Sequence, residues 1–264
     1  MSERLLNVGI SPCPNDSYIF AAWILGLIDD VPGCRTRFRW EDVQTLNEAA
    51  EKGGLQAVKV SAATAVRLPQ CWAILESGGA FGLEHGPKLV TKPGLARTPS
   101  SIAVPGLDTS AYALLRAALA RDFTPLPMRF DRIPEAILNG QAEGGLLIHE
   151  TALVYTECGF ELYLDLGQWW AEFSGGLPIP LGCIVAVRGK PGPESIEAAI
   201  RRSIDYARHK PQNIRPLIES LAQETDAQVV DRHITAYVNE FSLRMGESGR
   251  RSLELLQSCL PPGR

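Results

Sequence analysis

Short apolar runs with strand character alternate with amphipathic segments along most of this 264-residue chain. LLNVGI at 5–10 and SIAVPG at 101–106 are two such runs, and each is followed by a segment with helical apolar spacing. A chain that alternates strands and helices in this way favours sheets whose strands run parallel, with helices on their faces. The sequence therefore predicts an α/β protein with mostly parallel sheets.

The alternation occurs as two series, which predicts two lobes. The first series ends at Pro93-Gly94, and a second series begins at residue 101. The Pro-rich and then β-forming segment GLPIPLGCIVAVRG is expected to lead the chain back to the first lobe. We expect residues 1–93 and 183–264 to form the larger lobe and residues 94–182 the smaller one. A cleft between two such lobes is a common place for a ligand.

The last part of the chain is predicted to be helical. Apolar residues there recur with helical spacing, as Ile196, Ala199, Ile200 and Ile204 do. The predicted helices are residues 193–208, 211–223, roughly 226–244 and 247–259. They are expected to cover the sheet.

The composition excludes several classes of protein. The hydrophobic share of 45% and the charged share of 21% are those of an ordinary globular chain. A net charge of −4 and the lack of a Lys/Arg run give no reason to expect a nucleic-acid partner. No run reaches the ~18 apolar residues that a membrane span needs, and the first residues do not resemble a secretory signal. We therefore expect no membrane partner and a cytoplasmic location.

The cysteines and histidines are scattered along the chain. The six cysteines form no CxxC pair, and the four histidines form no HExxH motif. This pattern predicts reduced thiols rather than a disulfide framework, and no metal site.

Polar residues follow four of the predicted strands, at the point where a helix begins. These junctions are residues 11–16, Ser61, Thr109-Ser110 and His149-Glu150. Each one taken alone is an ordinary helix cap. Because ligands of open parallel sheets bind outside the carboxyl ends of the strands, the four together indicate a site for an anionic or polyhydroxylated small molecule.

His149 is the clearest candidate for chemistry at these junctions. It directly follows the apolar run Gly-Leu-Leu-Ile, so it is expected at the end of a strand rather than in a core. An imidazole has an ordinary pKa of about 6.5 and suits a general base at neutral pH, although a structural histidine fits the same position. Glu150 is interpreted either as a group that orients the imidazole or as an exposed charge.

Three other features admit two interpretations each. Cys13 at a helix start has the environment of a reactive thiolate, but no histidine lies near it in sequence, and a packed thiol is the favoured interpretation. Trp169-Trp170 are expected either to line the cleft or to cover the hinge between the lobes. In the helical tail, Asn239 is the residue expected to reach a polar partner.

Nine motifs, among them SPCPND, KVS, VPGLDTSAY and LIHE, occur in a fixed order along nearly the whole chain. In sequence and order they resemble the 1,4-dihydroxy-6-naphthoate synthase family of the futalosine route of menaquinone biosynthesis. The most specific are SPCPND and LIHE. The full set is SPCPNDSYIF, EDVQTLN, KVS, SGGA, VPGLDTSAY, FDRIPEAILNGQAEGGLLIHE, LDLGQWW, GLPIPLG and AYVNEFSLRMGE.

The resemblance implies the type 2 periplasmic-binding-protein fold, with two α/β lobes around a cleft, and no metal or organic cofactor. It implies a carbon–carbon lyase that converts cyclic dehypoxanthinyl futalosine to 1,4-dihydroxy-6-naphthoate and releases a three-carbon unit. Two alternatives stay open: chorismate dehydratase of the same pathway, and a non-catalytic binding protein for a small acid. The partner is a small-molecule substrate, and the sequence leaves monomer and homodimer open.

The resemblance also implies roles for individual residues. The histidine of the family's IHE motif is the catalytic base, which is His149 here. The implied substrate-binding residues are Lys59, Val60, Ser61, Ser110 and Ala111. We also expect Asn47, Thr109 and Ser11 to contribute to substrate binding. Ser110 stands where the family has threonine, which keeps the hydroxyl and loses the methyl group. We expect Ser61 and Ser110 to bind the substrate from opposite lobes.

Overall fold

The computed structural model describes residues 3–222 and 226–261, and within them the chain forms two β-sheets flanked by helices. The strands are β1 Arg4–Ile10, β2 Cys34–Trp40, β3 Ala57–Ser61, β4 Trp72–Ile74, β5 Ala80–Gly82, β6 Lys88–Thr91, β7 Ser101–Val104, β8 Thr124–Pro127, β9 Gly144–Leu147, β10 Glu161–Asp165 and β11 Ile179–Val187. The helices are α1 Pro14–Ile24, α2 Val43–Lys52, α3 Ala62–Ala65, α4 Ser110–Leu119, α5 Ile133–Leu138, α6 Leu166–Ser174, α7 Pro193–His209, α8 Pro211–Leu221, α9 Ala227–Tyr237, α10 Glu240–Leu243 and α11 Gly246–Ser258. Two 3₁₀ helices span Phe130–Arg132 and His149–Leu153.

Both sheets are mixed, which corrects the prediction of mostly parallel sheets. In the first sheet, β2, β1 and β3 are parallel, while β11 runs antiparallel to β3, β4 and β5. In the second sheet, β9, β7 and β8 are parallel. The strand β6 runs antiparallel to β9, and β10 runs antiparallel to β6. The sequence pattern shows that strands are present but not their direction, and β11 returns from the second sheet in the opposite sense to β3.

The central strands β3 and β11 of the first sheet are buried on both faces because helices cover each side. On one face α1 and α7 pack with Phe20, Ile196 and Ile200 against strand residues such as Leu6. The stripe on α7 that the sequence predicted is fully buried. Burial of such side chains contributes roughly 1.5–3 kcal/mol each relative to exposure, so this face fixes the position of α1 on the sheet.

The chain passes from the first sheet to the second after β5 and returns before β11. The strand β6 falls within the predicted first segment, 1–93, but pairs with strands of the second sheet. Sheet membership is not itself a lobe boundary, so the division at residues 93 and 183 stays a prediction. The outer limits of that division, residues 1 and 264, and the predicted end of a helix at residue 223 lie outside the described residues.

The helix expected over residues 226–244 is two helices in the structure. The first, α9, ends at Tyr237, and Asn239 then begins α10. The Asn239 side chain accepts from the Phe241 amide, and Ser242 reaches back to the Asn239 amide, which forms a capping box. The capping residue Asn239, although it lies inside an apolar helical pattern, therefore separates two helices.

Candidate active site

The four strand-to-helix junctions meet around one cavity between the two sheets. The carboxyl ends of β1 and β3 reach it from the first sheet, and those of β7 and β9 from the second. This is the arrangement expected where parallel strands end on a common cleft. Among the residues predicted for the site, those that line the cavity are Ser11, Lys59, Val60, Ser61, Thr109, Ser110, Ala111 and His149.

His149 is held in a backbone conformation that is uncommon for a side chain with a Cβ. It begins the 3₁₀ helix after β9 with a φ of 57°, in the left-handed region. The ring of Phe130 packs edge-on against the imidazole with 4.7 Å between ring centroids. Sparsely populated backbone geometry persists where the surrounding structure enforces it, and such positions cluster at functional sites.

The electrostatic setting keeps the His149 imidazole neutral. Burial is the main cause that lowers the pKa of His149, to about 4, and the positive charge of Lys59 acts in the same direction. The carboxylates of Asp16 and Asp42 oppose this shift. At neutral pH the ring therefore has a free lone pair, which is the form that a general base requires.

Cys13 lies against His149, although 136 residues separate them in sequence. Its Sγ is 3.3 Å from Nδ1 of His149 and 3.6 Å from Nε2. Burial, followed by the negative charge of Glu150, raises the pKa of the Cys13 thiol well above its ordinary value. Cys13 is thus a buried, protonated thiol beside the imidazole and not a thiolate nucleophile.

A buried ion pair joins α1 to β3 at the wall of the cavity. The Lys59 Nζ donates to Asp16 Oδ1 at 2.6 Å and to the Gly78 carbonyl at 3.2 Å, and both charged side chains are almost fully buried. Asp16 also accepts from the Ser11 hydroxyl and from the Asn15 amide, at 2.7 and 3.0 Å. Ser11 and Asn15 therefore stabilise the carboxylate, while the ammonium has one donor more than these two acceptors use.

Asn47 lies behind Ser61 and is not among the residues that line the cavity. Its side chain accepts from the Ser61 amide at 2.8 Å and donates to the Ser61 hydroxyl at 3.1 Å. These two bonds fix the end of β3, so that Ser61 faces the cavity in one orientation. The role predicted for Asn47 in substrate binding stays a prediction, and its observed contact is with Ser61.

Ser110 links elements from the two sheets. Its hydroxyl donates to the Leu181 carbonyl of β11 at 2.8 Å and accepts from the Ala63 amide of α3 at 3.1 Å. Thr109 caps α4 by accepting from the Tyr112 amide and donates to the Gly106 carbonyl. Because both hydroxyls have protein partners, the α4 backbone amides are the groups best placed to bind a ligand at this junction.

Two residues of α9 line the cavity and were not predicted as site residues. His233 and Tyr237, four positions apart on the same helical face, reach the cavity from the C-terminal part of the chain. The sequence signal that could have indicated them is a histidine followed four residues later by an aromatic residue on a predicted helix. Asn239, the residue expected to find a polar partner, donates to the Phe81 carbonyl at 2.7 Å.

The two tryptophans lie away from the cavity. Trp170 is 1% exposed and its Nε1 donates to the Pro178 carbonyl at 3.2 Å. Trp169 stacks on Phe173 with 5.0 Å between ring centroids. Both belong to α6 and neither is among the residues that line the cavity, while the hinge-covering interpretation stays a prediction.

Comparison with known proteins finds a protein family and two curated relatives that match this chain. The protein family described as menaquinone biosynthesis matches residues 6–261. A 1,4-dihydroxy-6-naphthoate synthase of Thermus thermophilus is 39% identical over 95% of this chain and 92% of its own length. Its counterpart in Streptomyces coelicolor is 37% identical over 94% and 90% of the two chains.

This chain belongs to the menaquinone biosynthesis family. The resemblance inferred from the nine motifs is thereby confirmed, over the whole length that the motifs span. The matched range of residues 6–261 includes every residue that lines the cavity.

Solved structures place the menaquinone biosynthesis family member in a wider fold class. A protein of Archaeoglobus fulgidus superposes with a TM-score of 0.90 at 32% identity, and covers 97% of this chain and 96% of its own. The alkanesulfonate-binding protein SsuA of Xanthomonas axonopodis pv. citri superposes with a TM-score of 0.67 at 14% identity, over 90% and 85% of the two chains. The predicted two-lobed periplasmic-binding-protein fold is confirmed.

The described part of the chain contains neither a group of side chains that could hold a metal ion nor a membrane-spanning helix. Within residues 3–222 and 226–261, no cluster of three or more His, Cys, Asp or Glu side chains has the arrangement of a metal site. In the same residues, none of the helices is long and apolar enough to cross a membrane.

Proposed function

We propose that this chain is a 1,4-dihydroxy-6-naphthoate synthase, a carbon–carbon lyase that acts on cyclic dehypoxanthinyl futalosine with His149 as its general base. The observation that carries the proposal is a neutral imidazole at the wall of a cavity built from both sheets. The identity of 39% to a synthase of that name, over nearly the whole chain, supports the choice of substrate.

The first chemical step in this proposal is removal of a proton next to a carbonyl of the substrate ring. The lone pair of His149 takes the proton, and the electron pair of the broken C–H bond moves toward the carbonyl oxygen. The enolate electrons then form a ring double bond, and the pair of the broken carbon–carbon bond leaves with the sugar-derived fragment, which takes up the proton from His149. Formation of the aromatic ring drives the release. A neutral imidazole of lowered pKa is a weaker base than free imidazole, so catalysis depends on stabilising the developing oxyanion.

The groups available for that stabilisation lie on two sides of the cavity. The Lys59 ammonium retains a donor beyond its bonds to Asp16 and Gly78. The first amides of α4, at Ser110 and Ala111, begin a helix of ten residues and have the partial positive charge of its N-terminus. We propose that these two sites bind the substrate carboxylate and the carbonyl oxygen.

Direct turnover tests the proposal against both alternatives. The purified protein is incubated separately with cyclic dehypoxanthinyl futalosine and with chorismate, and the products are separated by chromatography. We expect 1,4-dihydroxy-6-naphthoate from the first and no conversion of the second. Dehydration of chorismate would instead identify the sister enzyme, and recovery of both compounds unchanged would identify a binding protein.

The pH dependence of turnover follows from the lowered pKa of His149. Since the folded protein disfavours the imidazolium, the base stays neutral well below the ordinary pKa of 6.5 and protonates only near pH 4. We expect kcat/KM to retain its neutral-pH value down to about pH 5, where an unperturbed imidazole would be almost fully protonated. A kcat/KM that falls tenfold per pH unit from pH 6.5 downward would contradict the lowered pKa of the base.

The proposal includes the cytoplasmic location expected from the sequence and a small molecule as the partner.

A further inference from the structure

One nitrogen in the cavity wall has no hydrogen-bond partner. His233 is 1% exposed, and its Nδ1 is the only buried side-chain nitrogen or oxygen of the described residues without a partner. The carboxylate oxygen Oε2 of Glu150 is 4.0 Å away, which is beyond hydrogen-bond distance. Buried polar atoms are nearly always satisfied, so an exception in a residue that lines a cavity points to a ligand.

The hydrogen-bond network fixes which atom of His233 carries the proton. The Asn15 amide donates through Nδ2 to Asp16, which directs its carbonyl oxygen toward Nε2 of His233 at 3.0 Å. That oxygen only accepts, so Nε2 is the protonated nitrogen and Nδ1 has the lone pair. Burial, with His149 and Lys59 as further causes, lowers the pKa of His233 well below its ordinary value and keeps the ring neutral.

Three other polar side chains of this wall have their donors engaged within the protein. The Ser11 hydroxyl and the Asn15 amide donate to Asp16, and the Ser110 hydroxyl donates to Leu181. A ligand carboxylate offers no proton to Nδ1, whereas a hydroxyl does. Of the carboxylate and hydroxyl groups of the proposed substrate, the hydroxyl is therefore the one that suits Nδ1.

We propose that Nδ1 of His233 accepts a hydrogen bond from a hydroxyl of the bound ligand, and that His233 is a second imidazole facing the substrate besides His149. The two ring centroids are 6.1 Å apart, so one molecule of substrate size contacts both. The choice of ligand rests on the proposed function, since cyclic dehypoxanthinyl futalosine and 1,4-dihydroxy-6-naphthoate both carry hydroxyls.

Two substitutions separate this role from a structural one. His233→Gln places an amide donor near the Nε2 position and preserves the bond to Asn15, but removes the acceptor at Nδ1. His233→Asn places an amide oxygen near the Nδ1 position and loses the bond to Asn15. If Nδ1 binds a hydroxyl, the Asn variant is the better binder. If His233 serves only to support Asn15, the Gln variant is the better binder.

The readout is the affinity of wild type and both variants for 1,4-dihydroxy-6-naphthoate, with 2-naphthoate, which lacks the two hydroxyls, as the matched ligand. We expect His233→Gln to weaken binding of the dihydroxy compound about tenfold and His233→Asn to weaken it less. Binding of 2-naphthoate should stay within about twofold for both variants. The reverse ranking, or equal losses for both ligands, would overturn the proposal.

A measurement on the wild-type protein keeps the test independent of variant folding. In protein labelled with ¹⁵N-histidine, the lone-pair nitrogen resonance of His233 should move upfield on addition of the dihydroxy compound and not of 2-naphthoate. An unmoved resonance at saturation would also overturn the proposal. A wild-type protein that fails to turn over cyclic dehypoxanthinyl futalosine contradicts the proposed function, whereas these binding results concern His233 alone.

Discussion

Replacing His149 with asparagine is expected to lower kcat by about 10²–10⁴-fold, because the variant has no group that can accept the substrate proton. Asparagine is chosen because it tolerates a positive φ better than most residues, and His149 has a φ of 57°. The thermal midpoint and the affinity for 1,4-dihydroxy-6-naphthoate should remain close to wild type. Product formation is followed by chromatography, and folding by circular dichroism.

A matched control is the same substitution at His209. That side chain is 73% exposed and lies at the end of α7, away from the cavity. His209→Asn should keep full turnover, which shows that loss of a histidine as such has no effect. If His149→Asn kept more than about a tenth of wild-type kcat, the assignment of the base would be wrong.

The largest effect on stability is expected from Lys59→Met. Removing the ammonium leaves the Asp16 carboxylate, 1% exposed, without its countercharge in the cavity wall. Breaking a buried pair from one side costs about 3–5 kcal/mol of the free energy of unfolding, because an uncompensated charge stays buried. Urea denaturation of wild type and variant measures the difference.

Two controls identify the source of this loss. Lys52→Met removes a lysine from the exposed pair with Glu48, whose side chains are 74% and 48% exposed, and should change stability by less than about 1 kcal/mol. The double variant Asp16→Leu, Lys59→Met removes both charges and should regain much of the stability lost by the single change. A Lys59→Met protein as stable as the Lys52→Met protein would show that the buried pair contributes little.

The parts of the fold and site that sequence predicted are those determined by local pattern. Apolar runs mark strands, and the residue after each strand end is fixed in position once the strand is known. This is why Ser61, Ser110 and His149 were correctly expected at strand-to-helix junctions. The direction of a strand leaves no such trace, so the antiparallel insertion of β11 beside β3 was missed.

Contacts between distant segments were also beyond prediction. Cys13 meets His149, and Asn15 meets His233, only because the sheets bring their strand ends and α9 together. No local property of these residues specifies the partner. The same limit applies to the contact of the Asn47 side chain with Ser61.

The bond between Asn15 and His233 spans 218 residues of the chain, and this separation bears on the order in which the molecule is assembled. During synthesis, Asp16, Lys59 and His149 are all present long before α9 leaves the ribosome. The first sheet also lacks β11, which inserts between β3 and β4, until residue 187 has been made. Contacts of such long range require closure of large loops and form slowly. A growing chain thus has its base before it has a complete pocket, and a chain shortened before α9 would have no ligand wall on that side.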